Sequence, residues 1–179
     1  GLAFDTIVAS GSNAALPHHT PGDRPLQSGD TLIVDMGALL DGYHSDLTRS
    51  FYLGAEPDEQ FWSVYYLVQA AQTAVLDNIK PGLTGKETDA LARDAITQGG
   101  HGEHFGHGLG HGVGLEIHET PIMNKAGEKD IIAAGMALTI EPGIYISGWG
   151  GVRIEDLIVV TDHGFEYISQ CPKEPVIDN

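Results

Sequence analysis

His107-Gly-Leu-Gly-His111-Gly-Val-Gly-Leu-Glu-Ile-His118-Glu119, and after it Thr139-Ile-Glu-Pro-Gly-Ile-Tyr145, decide how this chain is read. The first block sets three histidines along a glycine-rich run, where backbone can turn tightly or come close to a bound group. The second places Glu141 where it interrupts the apolar run Leu-Thr-Ile. Neutral imidazole beside carboxylate is a donor set for zinc, manganese, iron or cobalt, whereas oxygen donors alone would suit magnesium or calcium.

Moving outward, further acids stand where strands are expected. Asp35 ends the run Leu32-Ile33-Val34, and Asp46 follows 46 − 35 = 11 residues later. Glu155 interrupts Val-Arg-Ile, 155 − 141 = 14 residues beyond Glu141. A carboxylate inside a strand is costly to bury unless a partner neutralises it. With 9 Lys and Arg in the whole chain, ion pairs do not account for all four, although Arg49 and Arg153 are close enough in sequence to help. A metal site accounts for them more simply. Two divalent cations balance Asp35, Asp46, Glu141 and Glu155, with His111 neutral, and two metals about 3.5–4 Å apart can share bridging carboxylates and activate a water.

The rest of the pattern predicts one α+β domain over residues 1–179. Strands are expected over Phe4–Ala9, Thr31–Met36 and Asp41–Leu53, and again over Ala137–Ile146 and Val152–Val160. Gly148-Trp149-Gly150-Gly151 reads as the turn of a hairpin joining the last two. Between the two groups, apolar residues at three- and four-residue steps from Phe61 to Ile79 predict a long helix over Asp58–Lys80, with Pro57 in its first turn and Pro81-Gly82 as its stop. Thr84-Gly-Lys-Glu87 reads as a capping box opening a second helix, ended by Gly99-Gly100. No chemistry is visible on either helix.

Composition narrows the partners. Twenty-five acidic against 9 basic residues give a net charge of −16, which excludes a nucleic-acid binder and docking on anionic lipid. A single cysteine, Cys171, leaves no internal disulfide and no cysteine-based zinc site. No apolar run approaches the roughly 18 residues of a membrane span and no signal peptide is visible, which fits a cytoplasmic enzyme. The chain begins at Gly1 without a methionine, so its N-terminus reads as a cut.

In order and spacing, Asp35, Asp46, His111, Glu141 and Glu155 resemble the five metal ligands of the pita-bread metallopeptidases, the family of methionine aminopeptidase, aminopeptidase P and prolidase (Xaa-Pro dipeptidase). The resemblance runs from Ile7-Val-Ala-Ser-Gly through Asp156-Leu-Ile-Val-Val-Thr. It implies a curved, mainly antiparallel sheet with helices on one face, and two divalent metal ions, manganese first and cobalt, zinc or iron as substitutes. By the same resemblance Asp35 chelates one metal, His111 and Glu141 hold the other, and Asp46 and Glu155 bridge. A hydroxide between the metals attacks the scissile carbonyl, with Glu141 as general base and later proton donor. His118 stabilises the oxyanion or the substrate carbonyl. His18 lines the pocket near the scissile bond, a role that its neighbour His19 could also fill.

His107, the segment Val152-Arg-Ile-Glu-Asp156 and the run Pro-Gly-Ile-Tyr145 match prolidases and aminopeptidases P and not methionine aminopeptidases. The resemblance thus implies an exopeptidase acting on peptides containing proline, with His107 and Arg153 binding the proline residue or its carboxylate. Orientation of a bridging carboxylate is the other role open to Arg153. Methionine aminopeptidase activity, a non-catalytic scaffold and a creatinase-like amidinohydrolase are the alternatives on this fold. The helices that precede the first strands of relatives, and their N-terminal domain, are missing before Gly1. The expectation is therefore a fragment of a longer chain, whose exposed sheet face invites a homodimer or association with the missing N-terminal segment.

Overall fold

The computed structural model describes residues 1–177. β1 (Ile7–Ser10), β2 (Thr31–Met36), the two-residue strands β3 (Leu39–Leu40) and β4 (Tyr43–His44), and β5 (Leu47–Leu53) come first. The helices α1 (Glu59–Leu76) and α2 (Gly85–Gln98) follow. Then come β6 (Gly110–Gly112), β7 (Glu119–Met123), β8 (Ala137–Ile140), β9 (Gly143–Ile146), β10 (Gly150–Arg153), β11 (Asp156–Thr161), β12 (Gly164–Tyr167) and β13 (Val176–Ile177). The chain is of α+β class, and its ladders are antiparallel except for β13, which runs parallel to β5.

The order β1-β2-β5-β13 makes one sheet and β12-β11-β8-β6-β7 another, with the β9–β10 hairpin falling in the chain between β8 and β11 of the second. Helix α1 starts because Asp58 accepts the Phe61 N–H at 2.7 Å, and α2 because Thr84 and Glu87 form the expected reciprocal box. Phe61, Val64, Val68, Ala71 and Val75 bury one face of α1 against Ile140, Ile144, Val152 and Ile154. A smaller cluster, Ala9, Ala14, Ile33 and Tyr145, lies on the β1–β2 side.

Several sequence boundaries move. The first strand is Ile7–Ser10 instead of Phe4–Ala9, and the long helix stops at Leu76. Pro57 lies outside it, before the Asp58 cap, where a fixed φ costs nothing. The three long strands break where their acids stand. Asp46 lies in the gap between β4 and β5, Glu141 between β8 and β9, and Glu155 between β10 and β11. Pro142 explains one break, since it brings no N–H to a ladder. At the other, the Glu155 N–H leaves its own hairpin and donates to Thr48 O of β5 at 3.1 Å. Gly150 and Gly151 belong to β10, so the turn proper is Ser147–Trp149.

Candidate metal centre

Breaking the ladders at the acids turns them inward. A cavity of about 360 Å³ is lined by all nine residues singled out from the sequence: Asp35, Asp46, His111, Glu141 and Glu155, with His18, His107, His118 and Arg153. His18 lines the cavity and His19 does not. Backbone bonds hold the breaks: Glu141 N–H donates to Leu109 O at 2.9 Å. From α1, the buried Gln72 reaches in, and its Nε2 donates to Ile140 O (3.0 Å) and Ile154 O (3.3 Å), the residues just before the two glutamates.

Asp35, Asp46 and Glu155 each bring one oxygen within 4.8 Å of the others. In Asp35 and Glu155 one oxygen is anchored and the other is buried without a hydrogen-bond partner. Arg153 Nη2 donates to Asp35 Oδ2 (2.7 Å) and Thr48 Oγ1 to Glu155 Oε2 (2.6 Å), while Asp35 Oδ1 and Glu155 Oε1 have none. His111 completes the set. Its Nδ1 lies 3.0 Å from Gly112 O, which only accepts, so Nδ1 carries a proton and Nε2 is left to the acids. Nε2 faces Glu141 Oε1 at 3.3 Å and Asp46 Oδ2 at 3.7 Å.

Acceptors facing acceptors in a buried place call for a cation between them. Without one, three of the four acids are driven toward the protonated form. Burial, then Asp35 and Glu141, push Asp46 up to about 8. Burial, then Glu141, Asp46 and Asp35, push Glu155 well above the carboxylate range, and burial raises Asp35 despite Arg153. Burial alone would raise Glu141 too, but His111, His107 and Arg153 together hold it below its ordinary value. Orphaned oxygens, four crowded carboxylates and one imidazole fit the nitrogen and oxygen donor set of a divalent transition metal.

Arg153 is 1% exposed and all three of its nitrogens are engaged: Nε on Thr48 Oγ1 (3.1 Å), Nη1 on Tyr145 Oη (2.9 Å) and Pro17 O (3.2 Å), Nη2 on Asp35. It orients Asp35, and its guanidinium is part of the cavity lining with His18 and His107. His107 is similarly engaged. Its Nδ1 donates to Gly108 O at 2.6 Å, so Nε2 accepts from Tyr145 Oη at 2.8 Å. Its ring stays a wall of the cavity. His118 stacks edge-on to His111, with centroids 4.3 Å apart, and burial followed by His111 lowers its pKa. Arg49 does not help the acids of the cavity: its guanidinium pairs with Asp156 at 2.7 Å and touches the site only through Glu155 O, at 2.5 Å.

Sequence reading missed Thr48, Thr139, Gln72 and Tyr145. Thr139 and Tyr145 carried a signal, as the two ends of the Thr139-Ile-Glu-Pro-Gly-Ile-Tyr145 block.

With that geometry in view, comparison with known proteins defines the class: metallopeptidase family M24 matches residues 1–162, and the chain belongs to that family. Among relatives, it is 46% identical over 172 residues to the Xaa-Pro dipeptidase of Pyrococcus horikoshii, covering 96% of this chain and 48% of that one. Solved structures agree. The Xaa-Pro dipeptidase from Bacillus anthracis superposes with a TM-score of 0.95 at 48% identity, covering 99% of this chain and 50% of that one. The X-Pro aminopeptidase from Thermotoga maritima gives 0.94 at 41%, with 99% and 50% covered. The fold shared with them is the pita-bread fold expected from the sequence. The chain spans about half the length of the curated relatives it matches.

Proposed function

We propose that this chain is the catalytic domain of a metal-dependent exopeptidase that cleaves peptide bonds next to proline, as an Xaa-Pro dipeptidase or Xaa-Pro aminopeptidase. The observation that carries this reading is the buried convergence of Asp35, Asp46 and Glu155 upon the His111–Glu141 pair, in a chain whose relatives include Xaa-Pro dipeptidases. Asp35, Asp46, His111, Glu141 and Glu155 would hold two divalent cations, with manganese the first choice and cobalt, zinc or iron able to substitute. Bound there, the pair would polarise the scissile carbonyl and bring the pKa of water toward neutrality.

The chain's own residues do the rest. Glu141, with 17% of its side chain open to the cavity, takes the proton of the attacking water and returns it to the departing nitrogen. His118, beside His111, donates to the carbonyl oxygen as charge develops there. His18 and His107 shape the wall against which the substrate lies. Arg153 anchors one oxygen of Asp35 and leaves the other free in the cavity.

Exposed Leu2 (65%), Leu40 (73%), Tyr43 (64%) and Leu115 (64%) surround the β3–β4 hairpin and support association with an N-terminal segment or a second copy, in a cytoplasmic setting. Among the described residues no helix is long and apolar enough to cross a membrane. Light scattering reads the association: a sharp monomer peak with cooperative melting counts against it.

The decisive experiment is hydrolysis of Xaa-Pro dipeptides and Xaa-Pro-Xaa tripeptides by metal-stripped protein with manganese, cobalt or zinc restored, beside Asp46→Ala. Metal-dependent release of the N-terminal residue, lost in Asp46→Ala, is expected, and the preferred length separates dipeptidase from aminopeptidase. Tight metal binding without turnover of any proline peptide refutes the assignment.

A further inference from the structure

Each of the two glutamates of the site receives one threonine hydroxyl, and in each case the direction of that hydroxyl is dictated by a second bond. Thr48 is fully buried on β5, opposite Asp35 in the ladder. Arg153 Nε donates to its Oγ1 at 3.1 Å, so its single hydrogen goes to Glu155 Oε2 at 2.6 Å. Thr139 is fully buried on β8, two residues before Glu141. The His111 backbone N–H donates to its Oγ1 at 3.0 Å, and the hydroxyl in turn donates to Glu141 Oε1 at 3.1 Å.

The second contact depends on a local feature of the sequence. Gly110 lies against Thr139, and a Cβ there would meet the Thr139 carbonyl and, at 2.6 Å, its hydroxyl oxygen. The absence of a side chain at Gly110 lets β6 carry the His111 N–H onto the threonine. The two hydroxyls arise from unrelated elements, yet each fixes one oxygen of a glutamate: Oε2 of Glu155, and Oε1 of Glu141, the oxygen that also faces His111 Nε2 at 3.3 Å. For Glu155 the other oxygen is the buried Oε1 with no partner. A strand position asks for a β-branched side chain, which valine supplies equally well. The hydroxyls thus answer to the glutamates and not to the sheet.

We propose that Thr48 and Thr139 are positioning residues, Thr48 for Glu155 and Thr139 for Glu141, each fixing the orientation in which its carboxylate meets the metal site. The proposal rests on reading Glu141 and Glu155 as ligands. Its test compares the isosteric Thr48→Val and Thr139→Val with the conservative Thr48→Ser and Thr139→Ser. Thr48→Ala and Thr139→Ala stand in for a valine variant that does not fold. Calorimetric titration of metal-stripped protein with Mn²⁺ is the first readout, and kcat and KM on an Xaa-Pro peptide the second.

Loss of either hydroxyl is expected to weaken Mn²⁺ binding by about 10–100-fold, with serine restoring it to within about threefold. Thr139→Val is further expected to lower kcat while KM stays put, because Glu141 also moves the proton. Valine and alanine variants that bind Mn²⁺ as tightly as the parent overturn the proposal, and so do serine variants that fall as far as valine. A parent protein that binds Mn²⁺ but cleaves no proline peptide overturns the peptidase reading alone, and the affinity comparison still decides the role of the threonines.

Discussion

Replacing Arg49 with methionine removes a buried guanidinium that joins three separate parts of the molecule. Arg49 is 3% exposed on β5 and donates to Pro172 O (2.9 Å), Thr48 O (2.9 Å), Glu155 O (2.5 Å), Cys171 O (2.7 Å) and the Asp156 carboxylate (2.7 Å). Breaking a buried pair from one side costs about 3–5 kcal/mol, because the remaining charge is stranded. Here Asp156 keeps Lys173 Nζ at 2.6 Å and Gln72 Nε2 at 3.1 Å, which places the loss near the lower end, about 3 kcal/mol. The buried Glu155 carbonyl loses its donor for about 1 kcal/mol more. At 2–4 °C per kcal/mol for a chain of this size, a total of about 4 kcal/mol lowers the melting midpoint by about 8–16 °C. Urea and thermal unfolding of the metal-free protein measure it. Arg49→Lys, which keeps the charge but cannot span the carbonyls, is expected to lose at least half as much. In Arg49→Met with Asp156→Leu the combined loss is expected to be smaller than the sum of the singles by at least about 1 kcal/mol. A single-variant loss below about 1 kcal/mol, or strict additivity in the double, refutes the reasoning.

Three other outcomes follow from the geometry. Mn²⁺ at about a hundredfold excess over its dissociation constant is expected to stabilise the metal-stripped protein by about 2.7 kcal/mol per site, raising the midpoint by at least about 5 °C, with no rise in Asp46→Ala. Gly110→Ala forces a methyl group onto Thr139 and is expected to cost about 1–3 kcal/mol and to weaken Mn²⁺ binding. Unchanged affinity in that variant counts against the close approach of β6 and β8. The Arg24 guanidinium, helped by the Gln27 N–H and opposed by partial burial, holds Asp30 below its ordinary pKa. A lowered folded pKa gives stability that is present above the unfolded value near about 4 and lost as pH falls through the folded one. The stability gap between the parent and Asp30→Asn is therefore expected to be full at neutral pH and to close below about pH 4, and a gap that widens in acid excludes the pairing.

What the sequence showed of the fold was the part governed by local rules. β2 occupies the expected Thr31–Met36, Thr84 and Glu87 cap α2, and the glycines after Ser147 turn a hairpin, because each depends on residues only a few positions apart. The acids drew notice because a carboxylate in an apolar run has few innocent explanations. That same oddity hid their true setting: Asp46, Glu141 and Glu155 looked like strand residues, whereas the strands stop to accommodate them. Arg49 and Arg153 looked equivalent on sequence distance, and only the folded register sends one to Asp156 and the other to Asp35. Thr48 and Gln72 were invisible, since threonine in a strand and glutamine on a helix are ordinary, and their partners lie up to 107 residues away.

The carboxylates of the cavity span 155 − 35 = 120 positions of chain and come together only once both sheets stand. Their mutual repulsion is therefore felt chiefly in the assembled molecule. Interactions absent from the transition state leave the folding rate alone and govern the rate of escape from the native state. A cation that quiets the repulsion would thus lengthen the life of each folded molecule without hastening its birth. The persistence of this protein would then follow the supply of divalent ions around it.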